Sequence, residues 1–334
     1  MKNNFAYRLY VQLKRRKSRK RFLIDKYGQN PKIRRKALWA WLFCGIAPNE
    51  FYRLHCEEKT KKEIRTFLSL SETREFYRNY NSSKVQKILS DKYVAYTRFK
   101  EFYKRLCIQV TKDDIATNSL EAKIHDLWKK DSVSQKGVIF KPLNGERGFG
   151  IKVFHDEKEA LESIKQTDGG VVEELIVQSE ELAVYNPSSV NTLRIMTVNY
   201  GDGNIDVKWP AIRFGREGSV VDNAGSGGVF AAVDVSSGKT IAASDELHNF
   251  FEVHPDTKKK LIGVVIPQWN EACALAKHLA AMIPEAAIVG WDLAHTECGW
   301  CMVEGNSSPL IIYQIATDCG LKDEWRKTVS KIKK

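Results

Sequence analysis

Apolar and polar positions change their period along the chain, and the changes divide it into regions. Residues 1–80 read as helical: residues 57–81 are highly charged, with Leu68, Leu70 and Phe76 recurring as on one helix face. Helices are predicted to continue over 82–131, with Ser90 or Asp91 capping the segment that begins at Lys92. From residue 136 the pattern shortens. KGVIFKP (136–142) and IKVF (151–154) predict strands around the loop LNGERGFG. A helix over 156–166 and an Asp-Gly-Gly turn lead into the apolar strand VVEELIV (171–177). Residues 191–200 and 206–214 predict two strands joined at 201–204, and the loop DNAGSGG (222–228) precedes a third over 229–235. Residues 255–282 read as mostly helical, 289–309 as a hairpin and 323–334 as a basic terminal helix. Helices and short strands in this mixture predict an α+β protein without internal repeats.

The hairpin VGWDLAHTECGWCMVEGNSSP carries the clearest chemistry. A three-residue loop at 297–299, with Gly299 at positive φ, would pair Thr296 with Trp300, Ala294 with Met302 and Asp292 with Glu304. Alternation then gathers Asp292, Glu304 and Asn306 on one face. Three oxygen-bearing side chains, two of them acidic, suit Mg²⁺ or Mn²⁺. Mg²⁺ held by so few carboxylates usually completes its shell with water and nucleotide phosphates, so the hairpin predicts a nucleotide. A competing arrangement, His295, Cys298 and Cys301, has zinc-like spacing but lacks a nearby fourth ligand.

Four further stretches bear on that prediction. The loop with Gly145, Gly148 and Gly150 lies between two strands, unlike the phosphate loops that open a helix. It is either a plain flexible hairpin or a cover whose amides meet phosphates, with Lys141 as a point charge. Glu173 and Glu174 interrupt an apolar strand, either as solvated acids of an edge or beside an adenine and its ribose. Arg194 lies in the apolar strand LRIMTV, where a buried arginine needs an anion, either a structural carboxylate or a phosphate. Asn223 and the neighbouring glycine amides form either a tight turn or an anion cradle. No Gly-x-Ser-x-Gly elbow marks a serine nucleophile.

Composition narrows the class. The 334 residues are 43% hydrophobic and 28% charged, enough for a sizeable core. The longest early apolar run, 37–46, is about half a membrane span. The start does not read as a secretory signal, and seven irregularly spaced cysteines suggest reduced thiols in a cytoplasm. The net charge of +12 is local: residues 1–36 hold fourteen Lys or Arg and one acid, leaving 39 basic against 40 acidic residues elsewhere. This segment reads as a helical cap or as a basic face for an anionic polymer or membrane surface. No recognition motif follows it, so no specific nucleic-acid partner is expected.

Taken in order, DKY at Asp91, GVIFKPLNGERGFGI at Gly137, VVEELI at Val171, NTLRI at Asn191, DNAGSGG at Asp222 and the 289–309 hairpin resemble the ATP-grasp superfamily. The phrases SSVNTLRIMT and VGWDLAHTECGWCMVEGN are most similar to the sugar-transfer-associated ATP-grasp proteins of surface-polysaccharide biosynthesis. The resemblance implies two α+β subdomains that clasp ATP, over 86–175 and 176–334, behind a basic helical region over 1–85. It implies Lys92 and Lys141 as phosphate lysines, Glu173, Glu174, Leu175 and Ile176 as the adenine linker, and Glu181 as the ribose acid. Arg194 matches the arginine near the transferred phosphoryl group. Asp292, Glu304 and Asn306 match the ligands of two Mg²⁺ ions. The implied activity is a carboxylate–amine ligase working through an acyl phosphate. Its expected partners are an amino acid or other small amine and a uronic-acid carboxylate of an acidic sugar or polysaccharide precursor. The protein would be cytoplasmic, at the inner membrane if residues 1–36 bind it. Two alternatives remain: an ATP-grasp kinase acting on a sugar or small-molecule hydroxyl, and a non-enzymatic polysaccharide-binding protein. Many ATP-grasp ligases begin with a Rossmann-like substrate domain; the basic helical start here departs from that pattern, and no substrate residue carries over.

Overall fold

A computed structural model describes residues 16–117, 119–143, 150–216, 218–219 and 227–333. The expected glycine-loop residues Gly145 and Gly148, together with Asn223, lie outside the described residues, as do residues 1–15.

Two antiparallel sheets organise the chain. The smaller contains β1 (Cys107–Val110), β2 (Val138–Pro142), β3 (Lys152–Phe154) and β4 (Gly170–Glu174), in the order β1-β4-β2-β3. The larger contains β5 (Thr192–Asn199), β6 (Ile205–Phe214), β7 (Val229–Val233), β8 (Thr240–Asp245), β9 (Ile288–Thr296) and β10 (Gly299–Asn306), in the order β10-β9-β5-β6-β7-β8. Two strands depart from the sequence reading. β1 interrupts the region predicted as wholly helical, and β8 precedes a segment whose helix covers only Trp269–Ala281. β1 is four residues long and alternates weakly, so only its pairing with β4 stabilises it as a strand. That pairing makes β4 an inner strand, which removes the reading of Glu173 and Glu174 as solvated edge acids.

The helices Ser119–Trp128 and Glu157–Ile164 bury Leu120, Ile124, Ala160 and Ile164 against Val138, Phe140 and Val172 of the small sheet. The large sheet is covered on both faces. Trp269–Ala281 and the helices Ser83–Ser90 and Lys92–Arg98 lie over Leu193, Ile195, Trp291 and Leu293. The N-terminal helices cover the other face, where Leu23, Phe51 and Phe67 meet Ala211, Phe230 and Ala232. Burial on both sides explains why β5 lacks apolar–polar alternation: all eight of its residues are buried. The basic start is therefore amphipathic. Leu23 is in the core, whereas Lys20, Arg21, Lys26, Lys32 and Arg35 are exposed.

Capping sets two of the helix entries. Ser69 and Glu72 form a reciprocal box at the start of Leu70–Tyr80. Asp91 caps Lys92–Arg98 by accepting the amides of Tyr93 and Val94, each at 3.0 Å. Of the two predicted caps it is the aspartate that acts, and it leaves Lys92 at the first helical position.

Candidate active site

The β9–β10 hairpin reaches its register by a different route from the one predicted. The turn uses Glu297 and Cys298 alone, so Thr296 pairs with Gly299 and Leu293 with Met302. Gly299 has φ +80°, as its place after the turn requires. The residue missing from the turn reappears as a bulge at Val303, beyond which Asp292 faces Glu304 and Gly290 faces Asn306. Without that bulge Glu304 would lie on the opposite face of the sheet from Asp292. Gly290 also makes room for Arg194: a Cβ there would sit 3.2 Å from Arg194 Cδ and 2.6 Å from Pro309 Cβ.

Asp292 is fully buried between two arginines. Arg194 donates through Nε to Oδ1 and through Nη2 to Oδ2 at 2.7 Å, and Arg213 Nη2 lies 3.0 Å from Oδ2. Arg213 is held in turn by Thr192 Oγ1, which accepts from its Nε at 2.9 Å. Burial raises the pKa of Asp292, but the two guanidiniums outweigh it and hold the carboxyl well below the usual range. Asn306 Nδ2 donates to Asp292 Oδ2 at 3.4 Å and to Glu304 Oε1 at 3.2 Å. Turning that amide over would present Oδ1 to the same point between the carboxylates. The donor set is all oxygen and fits a hard divalent cation. Surrounding protein raises the pKa of Glu304, and the charge of Asp292 adds to the effect. Glu304 is exposed to the cleft, where solvent offsets its burial and leaves the repulsion from Asp292 as the stronger influence.

On the facing wall Lys92 is half-buried, and its Nζ donates to Pro142 O at 3.1 Å. Burial lowers its pKa, Glu304 opposes that and Lys141 adds to it. Lys141 Nζ donates to Glu173 Oε1 at 2.9 Å. Glu173 Oε2 accepts from Arg105 Nε at 2.8 Å and Nη2 at 2.6 Å. Burial alone would raise Glu173; Arg105 and Lys141 reverse this and bring it to about 2. Lys92, Lys141, Glu173, Glu304 and Asn306 all line one cavity of about 780 Å³, within the usual size of a ligand site.

The remaining predicted residues lie around this group. Glu174 points to the other side of β4, where its Oε1 accepts from Lys136 Nζ at 2.8 Å. Leu175 and Ile176 are half-buried on the chain leaving β4, and Leu175 N donates to Gly137 O at 3.1 Å. Glu181 is exposed, 3.4 Å from His295 Nδ1. Gly150 is exposed with φ +75°, at the end of the loop after β2. The zinc-like trio is divided between faces: His295 lies against Trp300 with the rings tilted 53° to each other, while Cys301 sits opposite Ala294 and is buried. Among the described residues no three His, Cys, Asp or Glu side chains gather as a metal site.

Sequence reasoning passed over Arg105 and Arg213. Arg213 carried the same signal as Arg194, a cation inside an apolar strand. Arg105 follows Lys104 in YKRLC and reads as one more basic surface residue.

Residues 71–331 match the family described as "Sugar-transfer associated ATP-grasp". No curated protein matches the sequence. Among solved structures, N5-carboxyaminoimidazole ribonucleotide synthetase from Thermotoga maritima is 14% identical, covering 73% of this chain and 50% of its own, at a TM-score of 0.39. D-alanyl-alanine synthetase A from Vibrio cholerae O1 biovar eltor is 10% identical over 75% of this chain and 67% of its own, at 0.45. D-Alanine-D-Alanine Ligase from Helicobacter pylori is 14% identical over 79% of this chain and 66% of its own, at 0.44. The chain thus spans half the length of the Thermotoga protein, and likenesses at these scores say nothing about chemistry.

Proposed function

Since the chain belongs to the sugar-transfer-associated ATP-grasp family, we propose that it is an ATP-dependent carboxylate–amine ligase. The observation that carries this reading is the shared cavity. Two lysines, a buried acid and two oxygen donors from four separate stretches of sequence line it together. Lys92 and Lys141 would hold the nucleotide phosphates as point charges. The β4 strand and the chain after it, Glu173 to Ile176, would bind the adenine, with Glu181 near the ribose. Asp292, Glu304 and Asn306 would hold Mg²⁺, which when bound neutralises phosphate charge and polarises the γ-phosphoryl group. Arg194 would meet the transferred phosphoryl oxygens.

In the reaction a substrate carboxylate oxygen attacks the γ-phosphorus as the bond to the β-phosphate oxygen breaks, giving an acyl phosphate and ADP. An amine nitrogen then attacks the acyl carbon, phosphate departs, and the nitrogen loses a proton to leave an amide. Neither step requires a protein nucleophile, so these side chains contribute position and charge. The family's description supports a sugar-linked substrate, and we place the carboxylate on a uronic acid of a capsular or O-antigen precursor, with an amino acid or similar amine as the second substrate. The exposed basic residues of the N-terminal helices favour work beside an anionic surface on the cytoplasmic side. Among the described residues no helix is long and apolar enough to cross a membrane.

Hydroxylamine trapping tests the proposal. Incubation with ATP, Mg²⁺ and a panel of uronic and amino acids should yield a hydroxamate from the carboxylate donor. A stable phosphorylated alcohol without hydroxamate would make the protein a kinase. Glycan binding without any ATP consumption would make it a binding protein.

A further inference from the structure

Arg105 touches both walls of the cavity and the irregularity between them. Its side chain is 3% exposed. On one side it donates twice to Glu173, whose other oxygen holds Lys141. On the other, Nη1 donates to Met302 O at 2.6 Å and Nη2 approaches Val303 O at 3.4 Å. Nη1 also reaches Tyr103 O at 3.1 Å, and the guanidinium lies over the Tyr103 ring, 4.5 Å from its centre.

The two β10 carbonyls are those at the bulge. A bulge interrupts the ladder, and carbonyls beside it need donors from elsewhere. The same bulge brings Glu304 round to the face of Asp292. A chain of contacts therefore runs from Lys141 through Glu173 and Arg105 to the backbone that aims Glu304. We infer that Arg105 is a positioning residue which fixes the Val303 bulge, and with it the direction of Glu304, while holding Glu173 so that Lys141 stays aimed into the cavity. The inference rests on the ligase reading only in taking Glu304 and Lys141 to serve a Mg²⁺–nucleotide. Lysine cannot take its place. One ammonium would have to reach a carboxylate and two carbonyls that the planar fork meets together.

The test is calorimetric binding of the β,γ-imido analogue of ATP, with and without Mg²⁺. In wild-type protein Mg²⁺ should strengthen binding. In Arg105→Lys the Mg²⁺-free affinity should weaken only modestly, as Lys141 loosens with Glu173, while the Mg²⁺ enhancement on top of it falls about tenfold or more, the usual effect of losing a group that orients a metal ligand. Turnover should lose kcat more than it raises KM for ATP. Should Arg105→Lys not fold, the double variant Arg105→Gln/Glu173→Gln removes both buried charges together and should show the same lost enhancement. Full Mg²⁺ enhancement in either folded variant overturns the inference. So does equal weakening with and without Mg²⁺, which is what a purely structural role would produce. If wild-type protein binds no Mg²⁺–analogue at all, the functional reading fails and this one with it. If wild-type protein does bind it, a variant result that goes against the inference counts against the role of Arg105 alone.

Discussion

Replacing Asp292 by Asn removes one charge and almost no volume, yet it should be among the most disruptive single changes in this chain. Asp292 is fully buried, and Arg194 and Arg213 beside it are each 8% exposed. The carboxylate takes two N–H groups from Arg194, one from Arg213 and one from Asn306. An asparagine retains one carbonyl acceptor and leaves two guanidiniums facing a neutral group. Breaking a buried ion pair by removing one partner costs about 3–5 kcal/mol. Glu304 is close enough to compensate in part, since both arginines act on its carboxyl. We therefore expect a loss of about 3 kcal/mol, the lower end of that range, measured by urea denaturation at pH 7. The pH dependence follows from sign. The folded-state pKa of Asp292 is depressed, so its contribution is fully present above the unfolded value of about 3.9 and is lost as the pH falls toward the folded one. The gap between wild type and Asp292→Asn should hold steady down to about pH 4 and narrow below it. A variant within about 0.5 kcal/mol of wild type at pH 7, the range of ordinary surface changes, would refute the reasoning.

Glu304→Gln should abolish ATP turnover while leaving stability unchanged or slightly raised, because the folded protein raises this carboxyl's pKa and its ionised form repels Asp292; a thermal melt beside an ADP-release assay reads both. Lys141→Met should weaken nucleotide binding and also destabilise the fold by about 1–3 kcal/mol, as Glu173 loses one of its two cationic partners, seen as a lower urea midpoint. Acid unfolding should steepen as the pH falls from about 4.3, the unfolded glutamate value, toward the folded Glu173 value of about 2; the double variant Arg105→Gln/Glu173→Gln should lack that component. Changing Lys20, Arg21, Lys26, Lys32 and Arg35 together to Gln should release the protein from anionic vesicles, each being worth about 1 kcal/mol near such a surface. Unchanged co-sedimentation at low salt would end the membrane idea. These substitutions serve better than a deletion of residues 1–36, which would remove Leu23 from the core.

Local patterns in the chain were enough to determine the helix capped at Asp91, the β5–β6 pair around the 201–204 turn, and the existence of the 289–309 hairpin. Each is set by contacts within a few residues: a cap, a tight turn, a two-residue alternation. Spacing also marked Lys141, Glu173 and Arg194 as residues out of keeping with their apolar neighbours. What the sequence left undecided depended on groups far apart along the chain. β1 is a strand only because β4 supplies its partner, and the amphipathic N-terminal helices are a layer of the large sheet only because β6 and β7 offer them Ala211 and Phe230. The register at Glu304 shows the boundary most sharply. The predicted pairing with Asp292 is present, but a shorter turn and a bulge at Val303 produce it together. The bulge's carbonyls are satisfied by Arg105, nearly two hundred residues earlier. Local pattern can mark a carboxylate as bound for a cleft. Whether a buried arginine reaches it, and what holds the backbone that aims it, is decided only when burial strips away water and every charge and carbonyl must find its partner inside the fold.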